Sequence, residues 1–188
     1  MKLLFENWRK YLTESALSDR LTDEMHEKWL QGYQASKGDT PRFKPVPLES
    51  GQAPEEALQR LTDEGYEKLE TVDGVLNQDI NQPPANIVPS LKHKLNGAPA
   101  VDYAAAVEAT EVNSPEDIER LASEFHEVWM KHNDWQRDDN PSLFAPYEQL
   151  PADEKLKDLD QLEVALNLHY GSDPNVQQYF RQVYEGAR

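Results

Sequence analysis

Two short phrases carry most of the chemical potential of this chain: His26-Glu27-Lys28-Trp29 and, one hundred residues downstream, His126-Glu127-Val128-Trp129. A His-Glu pair on a helix suggests a zinc hydrolase, in which a second histidine four residues after the first completes the ligand pair and the glutamate serves as base. Positions 30 and 130 hold Leu30 and Met130, so that chemistry fails. His26 and His126 together could still hold a metal, but a helical histidine more often satisfies one buried hydrogen bond that fixes its helix. No metal and no other cofactor is expected. With zero cysteines there is no thiolate nucleophile and no Cys-ligated zinc. Serines fall in caps and turns, no glycine-rich loop grips phosphate, and the neighbouring carboxylates Asp138 and Asp139 read as turn formers. The expected protein is therefore not an enzyme.

The tryptophans offer a different chemistry. An indole is a flat stacking surface, and base–aromatic stacking is worth about 1–3 kcal/mol per base. Against this stands the ordinary use of tryptophan on an apolar helix stripe, which is to fill a core. Phosphate-binding candidates are Arg42 and Lys44 in RFKP (42–45) and Arg137 in the second half. A guanidinium makes bidentate contacts to phosphate, and proline-held extended backbone positions it at little entropic cost. Arg137 is followed directly by two acids and is equally suited to a structural salt bridge. Arg42 has only Asp39 nearby in sequence.

The elements that must position these residues are mostly helical. Leu21, Met25, Trp29 and Tyr33 recur every four residues and predict a helix over about 18–35. Prolines at 45 and 47 make RFKPVP extended. A second helix is predicted over about 54–69 with Leu58, Leu61 and Leu69 inward, then a proline-fixed connection over 77–89. A small-residue helix covers about 103–109. Ser114-Pro115-Glu116-Asp117 opens the next helix by capping, proline and dipole rules, and it runs to about Lys131. A loop leads to a helix from Ala152 to Tyr170 stopped by Gly171, and Asp173-Pro174 starts the last one, with Val176, Phe180 and Tyr184 on one face.

The two phrases belong to a longer repetition. RLTDEMHEKWL (20–30) and RLASEFHEVWM (120–130) share Arg, Leu, Glu, His, Glu and Trp in register. Pro84 to Pro89 can likewise be laid on Pro146 to Pro151. Neither half is large enough for a full core, so two small helix-plus-loop units are expected to pack about a pseudo-twofold axis.

From Glu119 to Gly171 the second half resembles the RyR repeat, the family named for the ryanodine receptor. The likeness rests on the HExW helix, on Trp135, Arg137, Asp138, Asp139 and Pro146, on Leu150-Pro151, and on the helix that follows. Asn140–Ala145 is shorter than the family's loop and lacks its basic-His-Pro run. The first half is more diverged, matching through HEKW and NIVP, with RFKP where the second has Arg-Asp-Asp. The resemblance implies an α+β fold, predominantly helical, with two RyR-type repeats in pseudo-twofold packing, long proline-rich loops and short strands. It also implies a cleft between the repeats for an adenine nucleotide or an ADP-ribose-like or cyclic nucleotide signal. The tryptophans would face that cleft, with His26, His126, Trp135, Asp138 and Tyr147 as further contacts.

MKLLFENWRKYL (1–12) resembles the leader of capsid-targeted proteins of tailed phages, and Leu12-Thr13-Glu14 before Ser15 resembles the site cut by their prohead proteases. The implied organisation is a leader over 1–14, a first repeat over 15–112 and a second over 113–188, with 15–188 forming one compact unit. The implied location is the virion and then the host cytoplasm, where sequestering a host immune signal would be the task. The alternative is a virion-structural or protein-interaction module without a ligand.

Composition narrows the partners. The net charge of −16 over 188 residues disfavours binding to a bare phosphate backbone, so no nucleic-acid partner is expected. No run of 18 apolar residues predicts a membrane span. Because the second HExW copy supplies internally what a homodimer would supply between chains, a monomer is expected. If the leader reading holds, intact-mass measurement on protein from virions will find residues 1–14 missing; their retention there would refute it.

Overall fold

The computed structural model describes residues 17–188 in full, and of the helix that precedes them only the course of the backbone. The leader and the Glu14–Ser15 cleavage site fall outside the fully described residues. Helix α1 (Lys2–Lys37) ends at Gly38, whose N–H reaches Gln34 O at 2.9 Å. The chain divides into two compact units, residues 22–97 and residues 1–21 with 98–188.

In the unit of residues 22–97, strand β1 (Phe43–Pro45) is followed by α2 (Pro54–Asp63), β2 (Leu69–Val72) and β3 (Val75–Asp79). The strands form an antiparallel sheet in the order β1-β3-β2. This corrects two expectations. The helix predicted to reach Leu69 stops at Asp63, because Gly65 and Lys68 turn into positive φ, and Leu69 opens a strand instead. Asn77–Asp79, read as connection, is strand. The missed signal is Asp73-Gly74, both at positive φ (52° and 73°) between the paired residues Val72 and Val75. That is the two-residue hairpin turn whose twist matches flanking strands.

Val46, Ala57, Leu61, Leu76, Ile80, Ile87, Val88 and Leu91 form the core of this unit, with Trp29 packed on it partly buried. Gln78, fully buried, sits at its centre with its amide satisfied. Its Nε2 donates to Asn86 O at 2.9 Å and Glu67 O at 3.2 Å, and its Oε1 accepts from Val88 N at 2.8 Å. An unpaired amide there would cost about 1–3 kcal/mol, so the side chain pins the proline turn at 83–88 to the sheet. Helix α3 (Pro89–Lys92) follows and widens into a π-turn over His93–Gly97.

The other unit contains α4 (Ala98–Ala109), α5 (Pro115–His132), α6 (Ala152–Tyr170) and α7 (Pro174–Gly186). Ser114 Oγ accepts from Asp117 N, and Asp173 Oδ1 accepts from Asn175 N and Val176 N, so both predicted caps form. Helix α5 contacts α4, α6 and α7. Its face of Ile118, Leu121, Ala122 and Phe125 is buried, with Phe125 stacked on Tyr103 at 4.2 Å. The loop from 133 to 151 is built of three short 3₁₀ turns. The predominantly helical α+β class with short strands is as expected. Among the described residues no helix is long and apolar enough to cross a membrane.

Gly171 ends α6 at φ 62° and ψ −135°, a conformation costly for any residue with a Cβ. Nothing lies within 4 Å of the place a Cβ would occupy, so Gly171→Ala tests backbone strain alone. Urea unfolding should show a loss of about 1–3 kcal/mol.

Candidate functional site

Each HExW histidine is buried, and a buried imidazole must have its nitrogens satisfied. His26 Nε2 lies 3.0 Å from Gln82 O and His126 Nε2 lies 2.9 Å from Ala145 O. A carbonyl only accepts, so each Nε2 carries the hydrogen. Each carbonyl immediately precedes a proline that opens a 3₁₀ turn. In the first, Asn86 N donates to Pro83 O and Ile87 N to Pro84 O; in the second, Gln149 N donates to Pro146 O and Leu150 N to Tyr147 O. The bonding therefore lays Pro83 on Pro146, one residue away from the proline alignment the sequence suggests. Residues 17–30 and 117–130 also have the same burial class at every position.

The second ring nitrogen separates the copies. His26 Nδ1 meets Asn96 Nδ2 at 3.4 Å, a donor, which suits a neutral ring. His126 Nδ1 meets Asp158 Oδ2 at 3.0 Å, an acceptor. Two acceptors call for two N–H groups, so the His126–Asp158 pair holds a proton between its members. The electrostatics agree. Burial lowers the pKa of His26, opposed only in part by the Gln82 and Ile80 carbonyls and Asp23. Burial also works against a charged His126, but the hydrogen bond to Asp158 and its charge, with help from Ala145 O and Glu127, outweigh it and raise the pKa. Burial lifts the Asp158 carboxyl above its ordinary range, and His126 offsets this only in part. The π-turn at 93–97 accommodates one extra residue in a helix, and it brings Asn96 to the ring position that Asp158 occupies in the second copy.

These bonds occupy both nitrogens of both rings, leaving neither a free lone pair for a metal nor a base for a nucleophile. What the histidines do is fix the helix turn that carries Trp29 and Trp129. Both tryptophans are half-buried. Trp29 stacks on Tyr33 at 5.0 Å and 23°, with the Arg42 guanidinium 5.6 Å from each ring. Arg42 is held from its backbone: its N–H donates to Asp79 Oδ1 at 2.8 Å and its carbonyl accepts from Ile80 N. Lys44, two residues along and in strand β1, is pressed below the ordinary lysine range by burial and then by the charges of Arg42 and Lys94.

In the other unit Trp129 stacks against His126 at 5.9 Å and 11° and packs on Phe144 at 5.3 Å. Arg137 Cζ lies 4.3 Å from the Phe144 ring centroid. Its Nε donates to Asp134 Oδ1 at 2.7 Å, so its salt-bridge partner is Asp134, not the adjacent Asp138 or Asp139. Asp138 is exposed in a turn and Trp135 is 52% exposed. Tyr147 is buried beside His126 at 6.3 Å, with Lys155 Nζ 5.6 Å from its ring. The structure thus gathers His26, Trp29, Arg42 and Lys44 in one unit and His126, Trp129, Arg137 and Tyr147 in the other.

Sequence reasoning missed Tyr33, Phe144, Asn96 and Asp158 as site residues. Asp158 had a legible signal, as the one acid on the buried α6 face of Leu159, Leu162, Ala165 and Leu166. Asn96 had none, because the π-turn shifts it out of α-helical register. Comparison of the chain with protein-family models, with curated proteins and with solved structures gave no match.

The two rings should titrate on opposite sides of 6.5. With its folded pKa lowered, His26 contributes stability that is complete above pH 6.5 and lost as pH falls through the folded value. With its folded pKa raised, His126 contributes stability that is complete below pH 6.5 and lost as pH rises through the folded value. NMR titration of Asp158→Asn should bring His126 below 6.5, because the amide reproduces the Asn96 arrangement. Asp158→Ala, which leaves Nδ1 unpartnered, should cost about 1–3 kcal/mol. An Asn variant whose His126 stays raised would show that Asp158 is not the cause.

Proposed function

We propose that this protein binds a small nucleotide, an adenine nucleotide or an ADP-ribose-like or cyclic nucleotide signal, without turning it over. The observation that supports this reading most is the aromatic–arginine face on the helix turn that each buried histidine holds. Trp29 and Tyr33 lie beside Arg42, and Trp129 and Phe144 beside Arg137. A half-buried indole next to a guanidinium is a surface on which a base stacks while its phosphate is met by charge. No acid among the described residues pairs with the Arg42 side chain, and the cations around Lys44 favour an anion there. The engagement of all four histidine nitrogens favours binding over catalysis.

On this reading the two HExW segments belong to two copies of one RyR-type unit. The matching burial and the shared histidine–carbonyl–proline turn support that descent. With a capsid-targeting leader, the protein would travel in a phage virion and sequester a nucleotide signal of host immunity.

A thermal-shift panel of ATP, ADP, AMP, NAD, ADP-ribose, cyclic ADP-ribose and cyclic oligonucleotides tests it. A ligand at about 100 times its Kd stabilises by roughly 2.7 kcal/mol, which raises the midpoint visibly. The shift should vanish in Trp29→Ala/Trp129→Ala while cooperative unfolding persists, and Arg42→Ala should weaken it. No shift with any member would return the tryptophans to a packing role and favour the protein-interaction reading.

A further inference from the structure

A second feature of the unit containing α4–α7 stands apart from the tryptophans. A cavity of about 650 Å³ is bounded by Glu116, Glu119 and Arg120 on α5, by Tyr147 and Glu148 in the proline turn, by Lys155 on α6, and by the last turns of α7. Neither tryptophan of the HExW phrases borders it. We propose that this cavity binds a linear alkyl polyamine.

Three observations carry this. The first is charge. Glu116, Glu119 and Glu148 have no ion-pair partner among the described residues, and against these three carboxylates the wall sets Arg120, already ion-paired, and Lys155, whose single charge no carboxylate cancels. Arg120 pairs with Asp117 at 2.9 Å and Glu124 at 3.5 Å, and Lys155 donates to Glu148 O at 2.9 Å while lying over the Tyr147 ring. The unbalanced charge of the cavity is therefore negative, within a chain of net charge −16.

The second is Tyr147. The residue is only 9% exposed and borders the cavity, and its hydroxyl meets no hydrogen-bond partner among the described residues. The hydroxyl is open to solvent at the cavity wall and has no protein partner, so it is free to accept from a ligand, and an ammonium is such a donor. Burial, and then the charges of Asp158, Glu119 and Glu148, hold its pKa well above the ordinary phenol value. The phenol therefore stays neutral and lies in a negative potential.

The third is spacing. Among the described residues no three carboxylates or histidines come close enough to share a metal ion. A single compact cation would leave most of these acids unmatched, whereas ammonium groups separated along an alkyl chain can meet them one at a time. The carbon segments between those groups have Pro115, Val183 and Ala187 to lie against.

Isothermal titration of the full chain with spermidine, at about 0.15 M salt to screen diffuse attraction, tests the proposal. Saturable one-site binding is expected. Glu116→Gln/Glu119→Gln/Glu148→Gln should weaken it by about tenfold or more, the sum of three exposed charge pairs. Tyr147→Phe should weaken it several-fold with the unfolding midpoint retained, since the hydroxyl serves no protein partner. The same charge change at Glu55, Glu56 and Glu67, all exposed in the other unit, should leave binding unchanged. Absence of saturable heat overturns the proposal. So does an equal loss in the Glu55/Glu56/Glu67 variant, which would mark the binding as diffuse attraction to an acidic surface.

Discussion

The buried histidine tied to the carbonyl before a proline is the constraint on which both halves of the molecule depend. An imidazole at 2% or 3% exposure cannot borrow water, and leaving one nitrogen unsatisfied would cost about 1–3 kcal/mol. The ring is therefore matched to a carbonyl that the following proline turn holds rigid. One bond sets three things at once: the depth of the helix, the position of the turn, and the outlook of the tryptophan three residues on. The loss of either partner would disturb the tryptophan without touching it.

Around this shared tie the two halves solve the remaining nitrogen differently. Asn96 and Asp158 have similar shape but opposite hydrogen-bonding polarity, and that difference decides whether the ring is neutral or shares a proton. A neutral ring needs no counter-charge, which suits a small core built on a three-stranded sheet and a buried glutamine. The His126–Asp158 pair keeps a proton inside the helical unit, where the carboxylate's desolvation is offset by the imidazole and little else. The same acid also adds to the negative potential at Tyr147. Local polarity at one ring thus reaches the wall of the neighbouring cavity.

Arg42 and Arg137 show how far sequence neighbourhood guides electrostatics. Arg42 has only Asp39 nearby in sequence, and its guanidinium rests on rings rather than on a carboxylate. Its backbone N–H, however, is held by Asp79, thirty-seven residues away. Arg137 is followed by two acids yet pairs with Asp134, three residues before it, because a tight turn brings side chains at that spacing together. Adjacent residues point in different directions, and so Asp138 and Asp139 remain turn formers.

What the sequence by itself determined is the set of features governed by short-range rules. These are the caps at Ser114 and Asp173, the stop at Gly171, the apolar stripe from Leu21 to Tyr33, and the recurrence of His-Glu-x-Trp. The Asp-Gly pair at 73–74 is a short-range hairpin signal of the same kind. Only the tertiary structure decided the end of α2 at Asp63, the one-residue shift that lays Pro83 on Pro146, and the arrival of Asn96 and Asp158 at their histidines. Each of these turns on a hydrogen bond between residues distant in sequence or on a π-turn that breaks the helical period. Periodicity and propensity are summed over neighbours, whereas a buried polar group is satisfied by whichever partner the fold brings to it.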